Sequence, residues 1–258
     1  MRYRQDAFNG LIIDAASLPA TREAFAPALA ELLDRARREG RNLIWLTLPL
    51  ALGELVGVAT AAGFVFHNCL EEELTLVWRG TPTAFAPFVP THSLGVGGLV
   101  LNSHGELLAI RERGSQGYKL PGGHVELGED LGPAVIREVW EETGIRSALR
   151  GVVGLVTTHP YRFGKSNLYV VCRLDPLSAE IAIQDPDEIE DARWLALPDY
   201  LADPGNSAFN RELVRSLAHA EGLAPSALNS ERYPKAEVFL AQNVVTISRA
   251  RAKQGENG

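Results

Sequence analysis

The sequence predicts an α/β (α+β) protein built from two small domains. Its 258 residues are enough for one large or two small domains, and its 46% hydrophobic and 22% charged residues are usual for folded globular chains. Strand-like and helix-like patterns alternate from the N-terminus, as in α/β architectures. A segment with three prolines, residues 80–92, separates this first pattern from a second one.

The first domain, residues 1–85, is predicted to alternate strands and helices. An apolar run at residues 10–14 predicts a strand, and the Ala-, Leu-, Glu- and Arg-rich segment 21–38 predicts a helix that stops before Gly40. Similar runs predict the remaining elements, which are a strand at 43–48, a helix at 51–62, and strands at 64–67 and 74–78.

The second domain, residues 86–205, is predicted to begin with a β-hairpin. Apolar runs at 96–101 and 106–111 flank the turn-forming sequence Asn-Ser-His-Gly. Further strands are predicted at 152–158 and 168–173. Residues 206–258 are predicted to form a C-terminal helix, at 210–220, and a flexible tail, at 249–258.

The negative charge is concentrated in two short segments. The net charge is −7, and the segment 126–142 holds six acidic residues and one arginine, while 185–191 holds five acidic residues and no base. A protein that binds the backbone of a nucleic acid normally carries a basic stripe instead. We therefore expect no nucleic-acid partner.

Export and membrane insertion are also disfavoured. The N-terminus lacks the apolar core of a secretory signal, and the apolar segment 43–66 is interrupted by Pro49 and three glycines. The two cysteines, Cys69 and Cys172, form neither a disulfide framework nor a zinc-ligand pattern. We expect a cytoplasmic protein with no membrane partner.

The first acidic segment contains a helix signal. Pro133 suits a helix start, and Gly144 suits its C-terminal end. Glu138, Glu141 and Glu142 share one helical face, and we expect all three carboxylates to point away from the sheet on which the apolar side packs. Like charges at this spacing repel, and their oxygens suit Mg²⁺. Taken alone, they also fit an acidic, solvated helix face.

A longer pattern surrounds this helix. The spacing Gly-x5-Glu-x7-Arg-Glu-U-x-Glu-Glu-x-Gly-U, where U is aliphatic, is matched within 23 residues at nine positions, which are Gly123, Glu129, Arg137, Glu138, Val139, Glu141, Glu142, Gly144 and Ile145. The pattern resembles the Nudix box, and nine matches make chance a poor explanation. The chain is identified as a member of the Nudix hydrolase family.

The resemblance implies the Nudix fold, a mixed β-sheet sandwiched between helices. It also implies metal-dependent hydrolysis of a nucleoside diphosphate linked to another moiety, with Mg²⁺ or Mn²⁺ as cofactor. The implied metal ligands are Glu138, Glu141, Glu142 and the carbonyl of Gly122. The implied structural positions are Gly123, Glu129, Arg137 and Gly144, with Glu129 and Arg137 expected to pair.

A general base in related enzymes often comes from a loop outside the box. The second acidic segment offers Glu188 as base or additional metal ligand, with Glu190 as the second candidate. Glu138 is the alternative base within the box. A solvated turn is the alternative interpretation of residues 185–191.

The resemblance extends beyond the box to residues 8–19, 92–102, 118–123 and 163–174. These stretches are similar to a Nudix subgroup with a pre-Nudix N-terminal domain, found in several plant Nudix hydrolases. The subgroup implies an acetyltransferase-like topology for the first domain, and ADP-ribose or NADH as substrate with release of AMP. Departures at Gly122 and at residues 158–160 leave the substrate preference open.

Candidate substrate contacts flank the box. Pro160 lies where ADP-ribose-cleaving members commonly carry a proline. The cations predicted to meet a pyrophosphate are Arg111 and Lys119 before the box and Arg162 and Lys165 after it.

Together these observations predict a metal-dependent pyrophosphohydrolase that acts on a nucleotide-sugar or a dinucleotide. The alternative is a Nudix domain that senses nucleotides or binds a protein without turnover, against which the intact acidic helix argues. The sequence leaves open whether the first domain forms a homodimer, covers the site or binds a partner.

Overall fold

The computed structural model describes residues 1–87, 89–228, 231–232 and 236–241. It divides into two compact units, Met1–Thr91 and His92–Gly258. The division lies inside the proline-containing segment, and the C-terminal helix belongs to the second unit rather than to a separate region from residue 206. The predicted tail at 249–258 lies outside the described residues.

The first unit is a five-stranded sheet with two helices. Its strands are β1 (Tyr3–Gln5), β2 (Gly10–Ile13), β3 (Leu43–Pro49), β4 (Val65–Cys69) and β5 (Glu73–Arg79), in the order β1-β2-β3-β5-β4. Strands β2 and β3 are parallel, and the other pairs are antiparallel. Helix α1 (Arg22–Arg38) begins after Thr21, whose hydroxyl accepts the N–H of Ala24, and its residues Phe25 and Leu29 lie in the core.

Each strand predicted for this unit is present, and β1 is an additional one. The prediction of one helix over 51–62 is wrong in its first half, because Leu50–Leu55 forms a 3-10 helix and α2 spans Val56–Ala61. Leu52 leaves the helical conformation beside Gly53, a residue with low helix propensity. The acetyltransferase-like topology stays a prediction.

The second unit contains a mixed five-stranded sheet and a strand pair. Its strands are β6 (His92–Val100), β7 (Glu106–Glu112), β8 (Ser147–Thr158), β9 (Ser166–Pro176), β10 (Ile189–Ala196), β11 (Leu223–Pro225) and β12 (Phe239–Ala241). Its helices are α3 (Leu131–Thr143), α4 (Leu197–Ala202) and α5 (Ala208–Leu217). The large sheet has the order β12-β11-β8-β9-β6 with β6 and β9 parallel, while β7 pairs with β10.

The predicted hairpin of β6 and β7 is wrong, although the turn between them is present. Leu101 and Leu107 form a bridge, and the two strands then enter different sheets. The free edge of β6 is occupied by the box loop, since Val96 N donates to the carbonyl of Gly123 at 2.9 Å and Gly98 N to that of Pro121 at 2.8 Å. This pairing places the box loop beside β6.

The large sheet is sandwiched between helices, as the sequence predicts. Val170 of β9 packs into a core with Val135 and Val139 of α3. The next residue, Val171, packs on the other face with Val214 of α5. The box helix therefore covers one face of the sheet, and α4 and α5 cover the other.

The apolar segment 43–66 forms β3, the 3-10 helix, α2 and the start of β4. Within the described ranges, we find no helix that is long and apolar enough to cross a membrane.

Candidate active site

Helix α3 carries the box glutamates and is capped at both ends. Gly144 ends it in the left-handed conformation, with φ of 73°, as the sequence predicts. At its start, the N–H groups of Leu131 and Gly132 donate to the two carboxylate oxygens of Glu237 at 2.7 and 2.9 Å. No sequence motif contains Glu237, which lies 106 residues from Leu131, so its contact with the helix was not predicted.

A guanidinium lies among the box carboxylates. Arg137 donates from Nε and Nη2 to the two oxygens of Glu129, both at 2.9 Å. Its Nη1 donates to Glu138 and to Glu141, each at 3.0 Å. The hydrogen bonds with Glu129 raise the pKa of Arg137 and lower the pKa of Glu129. Arg137 therefore binds Glu129 and two of the implied metal ligands, Glu138 and Glu141.

Glu142 is the buried member of the three box glutamates, with 4% of the residue exposed. Its Oε2 accepts the N–H of Gly122 at 2.5 Å. Burial raises the pKa of Glu142 to about 8, helped by the charges of Glu138 and Glu188 and opposed by Lys119 and by the N–H of Gly122. The prediction that all three carboxylates point away from the sheet is wrong for Glu142. Glu142 lies at the border of the apolar side of α3, so its carboxylate points at the box loop beside β6.

Two glycines bring the box loop close to these carboxylates. Gly122 has φ of 148°, and a Cβ there would lie 2.1 Å from the carbonyl oxygen of Val96. A Cβ on Gly123 would lie 2.6 Å from Oε2 of Glu138. Any side chain would therefore displace the loop from β6 or from the carboxylate. Burial in this position raises the pKa of Glu138.

The donor set fits a hard divalent cation, because carboxylate oxygens and a backbone carbonyl are the ligands such ions take. In the described part of the chain, however, no three or more acidic, histidine or cysteine side chains already converge as a metal site. The reason is visible in the pairing, since Glu138 and Glu141 face Arg137 and Glu142 faces Gly122.

The structure separates the two candidate bases of the second acidic segment. Glu188 is exposed. The pKa values of Glu138 and Glu142 are raised mainly by the burial of these two residues, and the charge of Glu188 is a smaller cause. Glu190 instead lies 3.7 Å from Nε of Arg111, in an ion pair on the β7–β10 sheet. The charge of Glu188 therefore acts on the box carboxylates, and Glu190 pairs with a predicted substrate contact.

The loop that carries Glu188 is held at both ends by hydrogen bonds. The N–H of Asp185 donates to the carbonyl of Glu141 on α3 at 3.0 Å. On the other side, Arg113 donates its N–H to the carbonyl of Glu188 at 2.9 Å and its Nε to the carbonyl of Pro186 at 2.8 Å. The side chain of Asp185 also accepts the N–H of Glu188 at 3.2 Å. No sequence motif predicts this role for Asp185.

Two predicted substrate contacts line a cavity next to the box loop. This first cavity, of about 390 Å³, is lined by Ser93, His124, Tyr161, Arg162, Phe163 and Lys165. The carbonyl of His124 accepts a hydrogen bond from Arg137 at 3.2 Å, so the cavity adjoins the carboxylate cluster. Phe163 is 97% exposed and has φ of 56°, an uncommon conformation for a bulky residue.

The other predicted contacts have different surroundings. Lys119 forms an ion pair with Glu112, and its charge acts on Glu142. Arg111 lies over the ring of Tyr118 at 5.7 Å, and it pairs with Glu190 as described above. Pro160 is exposed and precedes the residues that line the first cavity.

Comparisons with known proteins identify the family of this chain. Two family models match the chain, the NUDIX domain over residues 91–217 and the Nudix hydrolase domain over residues 1–79. Nudix hydrolase 8 of Arabidopsis thaliana is 35% identical over 240 residues, which cover 87% of this chain and 64% of that protein. Nucleoside diphosphate-linked moiety X motif 6 of Homo sapiens is 32% identical over 241 residues, which cover 89% of this chain and 76% of the human protein.

Among solved structures, the MutT protein of Methanosarcina mazei Go1 has 26% sequence identity to this chain and a TM-score of 0.43. The match covers 51% of this chain and 96% of the MutT chain. The matched relatives include proteins that are more than 30% identical to this chain. The chain covers more than two thirds of the length of these relatives. The chain belongs to the Nudix hydrolase family. It spans 64% of the length of the Arabidopsis relative named above.

Proposed function

We propose that this Nudix hydrolase is a metal-dependent pyrophosphohydrolase. Its proposed substrate is a nucleoside diphosphate linked to another moiety, either ADP-ribose or NADH, and its proposed product is AMP. The observation that carries the proposal is the close approach of the two-glycine loop to the carboxylates of Glu138 and Glu142.

Glu138, Glu141, Glu142 and the carbonyl of Gly122 would hold Mg²⁺ or Mn²⁺. When bound, the cation neutralises phosphate oxygens and lowers the pKa of a bound water. Arg137 supports this site because its Nη1 pairs with both Glu138 and Glu141 and so holds the two carboxylates close to one another. The buried N–H of Gly122 orients Glu142 in the same way.

Glu188 is the proposed general base. The residue is exposed to water, its charge acts on Glu138 and Glu142, and its loop is held in place by backbone hydrogen bonds. Glu190 is a weaker candidate because Arg111 already pairs with it. Glu138 is weaker for the same reason, since Arg137 donates to its carboxylate and competes with a proton.

The first cavity is proposed to bind the nucleoside half of the substrate. Its aromatic side chains, Tyr161 and Phe163, can stack on a base, a contact worth about 1–3 kcal/mol in proteins that bind bases this way. Arg162 and Lys165 supply positive charge for the phosphates. Pro160 is proposed to set the course of the chain into this loop.

The test is steady-state hydrolysis of ADP-ribose, NADH, a dinucleoside polyphosphate and coenzyme A, with Mg²⁺ and separately with Mn²⁺. We expect at least one substrate to be cleaved, and Glu142→Gln to lower kcat/KM by more than about 100-fold because it removes an implied ligand. The matched control is Glu126→Gln, which removes an exposed acid of the box loop and should change kcat/KM by less than about twofold.

Two outcomes contradict the proposal. If no diphosphate is cleaved while a nucleotide still binds, the chain is a sensing module. If Glu142→Gln retains full activity, the box carboxylates do not form the site.

A further inference from the structure

Tyr118 connects two strands that lead to different parts of the proposed site. It lies in the segment that runs into the box loop, and this segment pairs with β7 through a bridge between Lys119 and Ile110. On the other side of β7 lies β10, which begins directly after Glu188. The hydroxyl of Tyr118 donates to Oδ2 of Asp191 on β10 at 2.5 Å. This hydrogen bond joins the segment before the box loop to the strand that follows the proposed base.

The ring of Tyr118 is flanked by two guanidinium groups. Arg111 of β7 is opposite Asp191 in the register, and its Cζ lies 5.7 Å from the centroid of the Tyr118 ring. Cζ of Arg193 on β10 lies 5.8 Å from the same centroid, and its Nε is 2.6 Å from Oδ2 of Asp191. Cations over an aromatic ring are attracted to it, so this arrangement favours one orientation of the ring.

The backbone of Tyr118 is also fixed. Its N–H donates to Oδ1 of Asn206 at 2.7 Å, and its carbonyl accepts the hydroxyl of Tyr200 at 3.2 Å. Asn206 is buried and donates from Nδ2 to the carbonyl of Tyr200 at 2.9 Å. Burial and the hydrogen bond with Asp191 raise the pKa of Tyr118, so the hydroxyl keeps its proton at neutral pH and remains a donor.

Strand β10 contains a β-bulge at the place where this hydrogen bond arrives. Ile189 pairs with Glu112 of β7. Asp191 pairs with the next residue of β7, Arg111, so Glu190 is an extra residue on β10. A bulge redirects nearby side chains, and a shift of one residue in register moves every side chain of a strand to the other face. A contact directly after the bulge therefore decides which acidic side chain takes which position.

We propose that Tyr118 is a positioning residue that fixes the register of β10 after the bulge and thereby the place of Glu188. This inference rests on the proposed function, in which Glu188 is the general base. On the other side of the bulge, the carbonyl of Glu188 accepts the N–H of Arg113 at 2.9 Å. The contacts of Tyr118 and Arg113 thus hold the chain on both sides of the extra residue.

The experiment measures kcat and KM for the substrate of the panel above that the wild type cleaves fastest. Tyr118→Phe removes the hydroxyl and keeps the ring between the two guanidinium groups. We expect kcat to fall about tenfold and KM to change by less than about twofold, because the base is displaced while the substrate contacts remain. Asp191→Ala should cause a similar loss. Asp191→Asn keeps an acceptor oxygen and should retain most of kcat.

The matched control is Tyr200→Phe. It also removes the hydroxyl of a tyrosine, but this hydroxyl donates to a backbone carbonyl and not to β10. We expect both phenylalanine variants to unfold at a lower urea concentration than the wild type, and only Tyr118→Phe to lose kcat. This comparison separates a positioning role from a contribution to stability alone.

A Glu188→Gln background tests whether Tyr118 acts through the proposed base. In that background, Tyr118→Phe should cause no further loss of kcat. A further loss of about tenfold there, or full kcat in Tyr118→Phe alone, overturns the positioning role while leaving the pyrophosphohydrolase intact. A wild type that cleaves no diphosphate removes the proposed function, and the positioning role with it.

Discussion

The two acidic segments of this chain resemble each other in charge and differ in how the structure holds them. In 126–142, the side chains themselves are fixed, because Arg137 pairs with three carboxylates and Glu142 is buried against Gly122. In 185–191, the backbone is fixed by Arg113 while the carboxylate of Glu188 stays exposed. The difference teaches that similar acidic runs can serve different tasks. Fixed carboxylates suit metal binding, and an exposed carboxylate on a fixed backbone suits proton transfer.

Removing the guanidinium should have the largest effect on this comparison. Arg137→Ala leaves Glu129, Glu138 and Glu141 without their shared partner at a partly buried position. We expect the free energy of unfolding to fall by about 2 kcal/mol and kcat/KM to fall by about 100-fold. Urea unfolding and steady-state kinetics measure the two effects.

The control for Arg137 is Arg215, which pairs with Glu212 on the exposed surface of α5. Arg215→Ala should change the free energy of unfolding by less than about 0.5 kcal/mol. Similar losses for both arginines would mean that the box cluster is an ordinary surface ion pair.

Loosening the second segment should have a smaller effect, and on the rate of catalysis alone. Asp185→Ala removes the acceptor of the Glu188 N–H, so we expect kcat to fall about tenfold with KM unchanged. Asp185→Asn keeps an acceptor oxygen and should retain most of the activity. Steady-state kinetics on both variants measure this difference.

A Glu188→Gln background tests whether Asp185 acts through Glu188. There, Asp185→Ala should cause no further loss, because the carboxylate that it positions is already gone. A further tenfold loss in that background would show that Asp185 acts elsewhere.

The smallest predicted effect concerns the start of the helix that carries the fixed carboxylates. Glu237→Ala leaves the N–H groups of Leu131 and Gly132 without their acceptor, which should cost about 1 kcal/mol in urea unfolding. The exposed Glu180 serves as the control, and Glu180→Ala should have no measurable effect. Equal unfolding curves for the two variants would argue against a capping role for Glu237.

Sequence patterns predicted the parts of the site that depend on near neighbours in the chain. The span of α3 followed from Pro133 and Gly144, and the family followed from nine positions within 23 residues. Helical periodicity also predicted that the carboxylates of Glu138, Glu141 and Glu142 point away from the sheet. This prediction was wrong for Glu142. That error arose because Glu142 borders the apolar side, and the sequence does not show that a loop beside β6 covers it.

The sequence by itself determined the α/β class, the approximate positions of strands β2 to β9 and the box helix, because side-chain periodicity and turn residues act over a few neighbouring residues. Tertiary structure decided that Glu190 pairs with Arg111, that β6 and β7 enter different sheets, and that Glu237 caps α3. It also created the cavity next to the box loop. These features depend on contacts between residues far apart in the chain, which form when the elements pack together and leave no periodic signal in the sequence.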